Sequence, residues 1–256
     1  MANIVEVRNL KLGEGIPKIC VPLVGKTNEE ILEEAKFLKN VKFDLIEWRV
    51  DHYENVENLE KVKEIVKALR EEVGETVILF TFRSKKEGGE IEVSDEYYAQ
   101  LNKTVAETKL VDLVDVELFT GDEIVKDIVE TAHNNEVKVV MSNHDFFKTP
   151  AKEEIISRLC KMQDLGADLP KIAVMPNTSE DVVTLLAATE EMSTKHANRP
   201  IITMSMGGLG LVSRLSGETF GSALTFGAAK PYRVFHKLAF AKYNLPRQLP
   251  KPFRSC

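Results

Sequence analysis

With 256 residues, 43% apolar and 29% charged, the chain has the composition of an ordinary globular protein with a sizeable core, which excludes a disordered or fibrous chain. A formal net charge of -6 gives no reason to expect nucleic-acid binding, and no apolar run approaches the ~18 residues of a membrane-spanning helix. The amino terminus MANIVEVRNLKLGEG is charged too early and too often for a signal peptide, so the expectation is a cytoplasmic protein without membrane attachment, and Cys20, Cys160 and Cys256 are too scattered for a disulfide framework or a zinc site.

Residues 3–15 alternate apolar and polar positions and close on Gly13 and Gly15, which predicts a small hairpin ahead of the main fold. From there one pattern repeats. KICVPLVG (18–25) reads as a strand, and NEEILEEAKFLKN (28–40), apolar at three- and four-residue spacing, reads as a helix. Strands are then predicted at 44–51, 76–83, 110–119, 137–146, 169–176, 200–207 and 221–229, with helices between them at 58–73, 95–108, 122–135, 152–167, 179–197 and around 209–220. Strict alternation of strand and helix requires a parallel sheet with right-handed crossovers. Eight such units match a closed α/β barrel, (β/α)8, better than an open doubly wound sheet, and LVGKTNEE after the first strand is no glycine-rich phosphate fingerprint. No composition break or linker precedes residue 230, so residues 1–256 are expected to form one barrel domain.

In such a barrel, polar residues late in the strands converge at one mouth whatever their distance in sequence. Within LPKIAVMP, the period of two sets Lys171, Ala173 and Met175 on one face and Ile172 and Val174 on the other. A lysine buried there either pairs with an acid or has its ammonium form disfavoured, and the second case supplies a neutral amine able to attack a carbonyl. The competing reading is a strand-end lysine that reaches back to solvent. The second strand offers Glu47 and Arg49 on one face, either a structural ion pair or partners for ligand hydroxyls. Arg83 ends the third strand with Glu87 in the loop beyond; the alternative for Arg83 is a solvated loop charge. Asn143, His144 and Asp145 end the fifth strand, Met204 and Met206 lie in the seventh as core or pocket lining, and Arg214 follows. Together a lysine nucleophile, a histidine that moves protons and three arginines describe a site for an anionic carbonyl compound.

At these residues the sequence resembles the type I 3-dehydroquinate dehydratase family of the shikimate pathway. The matching motifs are GEGIPKICVPLVGKT, DLIEWRVD, FTFRSKKEGGE, SNHDFFKTP, LPKIAVMP, PIITMSMG and SRLSGETFGSALTFGAAK, from about residue 13 to 230. The resemblance implies a hydro-lyase that converts 3-dehydroquinate to 3-dehydroshikimate and water, in aromatic amino-acid biosynthesis. It implies that Lys171 forms an imine with the substrate ketone, that His144 removes the α-proton and helps the β-hydroxyl leave, and that Glu87 orients His144. Glu47, Arg49, Arg83 and Arg214 would bind substrate, the last through its carboxylate. An iminium is itself an electron sink, so neither metal nor cofactor is called for, and the family's habit implies a homodimer. A class I aldolase, or a catalytically silent barrel kept as a scaffold, would share parts of this pattern.

Two departures stand out. Pro22 occupies a position where many members carry serine. After Lys230 the family continues with a Ser-Ala-Pro-Gly-Gln-like loop, whereas this chain reads PYRVFHKLAFAKYNLPRQLPKPFRSC, with Arg233 and Lys237 where the serine and glutamine would fall. From Lys230 on there are seven Lys or Arg, no acid and four prolines. That abrupt change looks like a shift of reading frame; it predicts at most a short eighth helix, to Asn244, and poor order over 246–256.

Overall fold

The computed structural model describes residues 4–228. The expectations for an eighth helix, for order over 246–256 and for Arg233 and Lys237 lie outside the described residues.

The chain opens with an antiparallel hairpin, β1 (Val5–Val7) and β2 (Leu10–Leu12). Alternating units follow: β3 (Lys18–Leu23), α1 (Asn28–Leu38), β4 (Leu45–Arg49), α2 (Leu59–Val73), β5 (Val77–Thr81), α3 (Asp95–Glu107), β6 (Leu113–Glu117) and α4 (Asp122–Asn134). Then come β7 (Lys138–Asp145), α5 (Lys152–Asp164), β8 (Leu169–Val174), α6 (Ser179–Glu191), β9 (Ile202–Ser205), α7 (Leu211–Leu215), α8 (Gly217–Phe220) and β10 (Leu224–Phe226). The strands β3 to β10 form one eight-stranded parallel sheet, in which β10 pairs with β3. The seam between β9 and β10 is narrower, a single Ile201–Ser222 bridge with Ala223 N–H donating to Ile201 O at 2.8 Å. This is the (β/α)8 barrel with N-terminal hairpin that the alternation predicts. One boundary is corrected: the helix expected around 209–220 is two short helices, broken at Ser216, whose N–H and side-chain hydroxyl both turn back to Val212 O. Helix α6 ends in a π-turn, Met192–His196.

Alternation in the strands builds two apolar layers. Leu45, Leu79, Leu113, Val140, Leu169, Ile202 and Leu224 point inward and fill the lower barrel, where Val5, Val7 and Leu12 of the hairpin plug its amino-terminal end. The outward set, including Val21, Ile46, Trp48, Ile78, Phe80, Val114 and Ile172, packs against the helices. Helix starts carry their own signals: Thr27, Asn58, Ser94 and Thr178 each accept a backbone N–H at the first turn, and Thr178 with Asp181 completes a capping box. Since the lower barrel is closed by leucine and valine, polar chemistry is confined to the carboxyl ends of the strands.

Candidate active site

Above the leucine layer the inward positions turn polar: Glu47, Thr81, Asp115, Ser142 and Lys171 are all buried. Lys171 is 3% exposed and does not reach solvent. Its Nζ lies 3.2 Å from Asp115 Oδ2 and 4.0 Å from Glu47 Oε1, and 4.6 Å from the centre of the Phe226 ring. The ammonium therefore has both a counter-charge and an aromatic face beside it. Ala173 lies on the same face one residue pair further, with Met204 and Met206 also in the inner layer.

Arg83, 3% exposed, is the charge hub of the site and not a solvated loop residue. Its Nη2 lies 2.8 Å from Asp115, and Nη1 lies 2.8 Å from Glu117, 2.9 Å from Ser142 Oγ and 3.7 Å from Glu87. Burial alone would lower its pKa, but Asp115, Glu117, Glu87 and Glu47 outweigh that and hold it well above the ordinary value. Asp115 is pushed up by burial, yet Arg83 and Lys171 bring its carboxyl below the usual range. Glu47 accepts from Thr81 Oγ1 at 2.9 Å, whereas Arg49 does not pair with it. The Arg49 guanidinium forks onto Asp51 with two bonds of 2.8 Å, a bidentate geometry that raises its pKa against the lowering effect of burial.

Glu87 sits in a single 3₁₀ turn, Lys85–Glu87, capped by Ser84 and ended by Gly88 in the left-handed region at φ 86°. Of the two glycines that follow it, Gly88 is called for by its left-handed φ and Gly89 by lack of space. A Cβ at Gly88 would run into the Phe146 ring, and one at Gly89 into the Arg83 carbonyl. The tight turn brings the Glu87 carboxylate over the end of β7. Oε2 takes the His144 backbone N–H at 2.9 Å and faces His144 Nδ1 at 2.9 Å, while Oε1 takes Asn143 Nδ2 at 3.1 Å. Burial, with Glu117 nearby, pushes Glu87 up to about 7 against the pull of Arg83 and Asn143. Burial first, then the cations Arg83, Lys171 and Arg49, pushes His144 well below its ordinary value. A neutral imidazole with Nδ1–H donated to Glu87 leaves Nε2 with a lone pair, the arrangement of a general base.

Arg214 lies in α7, which packs on β9 and β10; Ser213 Oγ accepts from Ser205 N–H at 2.9 Å and ties this helix to the carboxyl end of β9. Burial lowers the pKa of Arg214. Asp145 serves the loop, accepting from the N–H groups of Phe147 and Lys148 at 3.1 Å. Sequence reasoning missed Asp115, Glu117, Ser142 and Phe226. The signal for the first two was available: VDLVDVEL puts acids at alternate positions of a buried strand, where a charge needs a partner. Among the described residues no cluster of His, Cys, Asp or Glu is arranged to hold a metal ion, and no helix is long and apolar enough to cross a membrane.

The sequence pattern of the type I 3-dehydroquinase family matches residues 19–234. The chain is 58% identical over 244 residues to the 3-dehydroquinate dehydratase of Clostridioides difficile strain 630, covering 95% of this chain and 96% of that one. It is 62% identical over 230 residues to that of Clostridium botulinum strain Eklund 17B, covering 90% and 91%. A crystal structure of the type I 3-dehydroquinate dehydratase from Clostridium difficile with covalently modified comenic acid superposes with TM-score 0.90 at 60% identity, covering 91% of each chain. The Enterococcus faecalis 3-dehydroquinate dehydratase superposes with TM-score 0.86 at 48% identity, covering 87% of this chain and 93% of that one. With the lysine, histidine and glutamate motifs all inside the matched span, the chain belongs to the type I 3-dehydroquinase family.

Proposed function

We propose that the protein is a 3-dehydroquinate dehydratase that works through an imine on Lys171. The observation that carries this reading is the placement of Lys171 Nζ in the buried polar layer, with the His144–Glu87 pair at the same end of the barrel. The amine, after losing a proton, adds to the substrate ketone, and water leaves to give the iminium. The iminium withdraws electrons from the adjacent carbon, and His144 Nε2 takes its proton. The resulting enamine expels the β-hydroxyl, which leaves as water with the proton from His144. Hydrolysis of the conjugated iminium returns the lysine and releases 3-dehydroshikimate, so one substrate gives one product and one water. Glu87 holds the imidazole tautomer; Glu47, Arg49 and Arg83 bind the hydroxyl-bearing face, and Arg214 binds the carboxylate. On the same reading the small-molecule substrate is the partner, the active form is a cytoplasmic homodimer, and residues 1–256 are one catalytic domain needing no metal or cofactor.

The test is incubation of the full chain with 3-dehydroquinate, following the conjugated enone absorbance, with borohydride trapping of the adduct. Wild type is expected to turn over and to be trapped. Lys171→Ala is expected to lose both; a trapped adduct or residual turnover in that variant would remove Lys171 from the mechanism. Light scattering on the same sample reads the dimer.

A further inference from the structure

Adjacent residues of a strand face opposite sides of the sheet, and the end of β7 uses this to hold Glu87 from two directions. His144 meets Oε2 with its N–H and its ring, while Asn143 reaches Oε1. An asparagine amide offers a donor at one end and an acceptor at the other, so by itself it could present either to Glu87. Here Arg158, on α5 outside the barrel, decides which. Its Nη1 donates to Asn143 Oδ1 at 2.9 Å, and a guanidinium has donors only. Arg158 is itself anchored: Glu154 Oε1 accepts from its Nε at 3.0 Å and its Nη2 at 2.8 Å, Asp145 lies 3.9 Å away, and its Cζ sits 5.5 Å over the Phe119 ring.

We propose that Arg158 is a positioning residue for the acid–base pair: by fixing Asn143 with its carbonyl outward, it forces Nδ2 to donate to Glu87 Oε1 and so favours the ionised carboxylate that accepts the His144 Nδ1–H. This rests on the reading of His144 as the proton-transfer group. The need for such a device is visible in the charges around the pair. Burial first, then Glu117 and Asp115 of β6, oppose ionisation of Glu87, whereas Arg83, just beyond β5, and the Asn143 amide favour it, and Arg83, Lys171 of β8 and Arg49 of β4 act on His144 by disfavouring its protonation. Asp145 and Arg158 pair with each other just outside. The net effect pushes Glu87 up to about 7, and the hydrogen bond donated by Asn143 works against that push. Losing that donor disfavours the carboxylate, so the pair's apparent midpoint must rise.

The experiment uses the full chain with 15N-labelled histidine and reads the tautomer and titration of His144, assigned by its absence in His144→Gln, alongside the pH dependence of kcat. In Arg158→Met the Nδ1–H tautomer is expected to lose population and the pair's midpoint to move up by roughly half a pH unit or more. The acid limb of kcat should follow it, with kcat at pH 7 down about twofold or more and KM nearly unchanged. Arg158→Lys, which keeps one donor within reach of Asn143, should recover part of the shift. Asn143→Asp, which replaces the donor at Oε1 by an acceptor, should move the midpoint in the same direction and stands in if Arg158→Met does not fold. An unmoved midpoint and tautomer in either folded variant overturns the proposal. If the histidine spectra shift as expected while the wild type fails to dehydrate 3-dehydroquinate, the positioning role stands and the functional reading falls.

Discussion

Desolvation sets the terms on which the buried side chains work. At full burial a histidine resists protonation and a glutamate resists ionisation, and here both tendencies act on two groups 2.9 Å apart. The backbone N–H of His144 and the amide of Asn143 supply donors that only a carboxylate can accept in full, which tips the pair toward ionised Glu87 and neutral imidazole. Lys171 has a different balance, with Asp115 as direct partner and Arg83 competing for the same acid. If His144 moves protons after the imine has formed, His144→Ala should still give the borohydride-trapped adduct while turnover falls by roughly 10² or more, with intermediates accumulating in single-turnover mass spectra. A variant that can no longer be trapped, with its fold intact, would assign His144 to amine activation or substrate binding instead.

The element that governs the acid–base pair is the turn after β5, in which one 3₁₀ turn and two glycines fold Glu87 back over the barrel rim. Gly89 has no room to change, since the atoms facing its missing Cβ are the backbone of Arg83 and Ser84, which carry the hub of the site. Gly89→Ala should therefore push the turn outward and misplace Glu87. The expected result is a loss of about 1–3 kcal/mol in urea unfolding and a fall in kcat of about 10², the scale of a 1 Å displacement. Unchanged kcat with the stability loss alone would mean that the turn absorbs the methyl without moving Glu87.

At the scale of the whole molecule the two ends of the barrel do different work. The hairpin plug buries Leu12 completely below the leucine layer, and Arg8 links it to Asp112 and Glu75 at the bottom of the barrel. Leu12→Ala should cost about 2–4 kcal/mol of stability while leaving kcat and KM within about twofold at a temperature where the variant is folded, because chemistry sits at the opposite end. A kinetic defect in the folded variant would show coupling between the ends. In the family resemblance a serine and a glutamine are expected after Lys230, and Arg233 and Lys237 fall at those positions here. Replacing residues 231–256 with a Ser-Ala-Pro-Gly-Gln loop followed by an acidic helix is expected to raise kcat and lower KM, with Lys171 trappable in both proteins. Equal kcat/KM and equal thermal midpoints before and after replacement would show that the present carboxyl terminus is no handicap.

The sequence by itself determined the barrel, because eight apolar runs separated by amphipathic helices leave a parallel sheet few other ways to bury both faces. It also determined which face of β8 carries Lys171, since period two is a local property. It did not reveal that Arg49 belongs to Asp51, that Arg83 is shared between two acids of β6 and Glu87 of the turn, or that Phe226 lies over the lysine. The Arg83 and Phe226 contacts join residues from different strands, where closure and stagger decide who meets whom, and Arg49 chooses its neighbour Asp51 over Glu47 on its own strand only because the chain turns there. The same holds for Arg158: a charge on a surface helix is commonplace in a sequence, and only the placement of α5 on the outside of the barrel lets its side chain reach Asn143. Local periodicity sets what faces inward; tertiary closure sets who meets whom there.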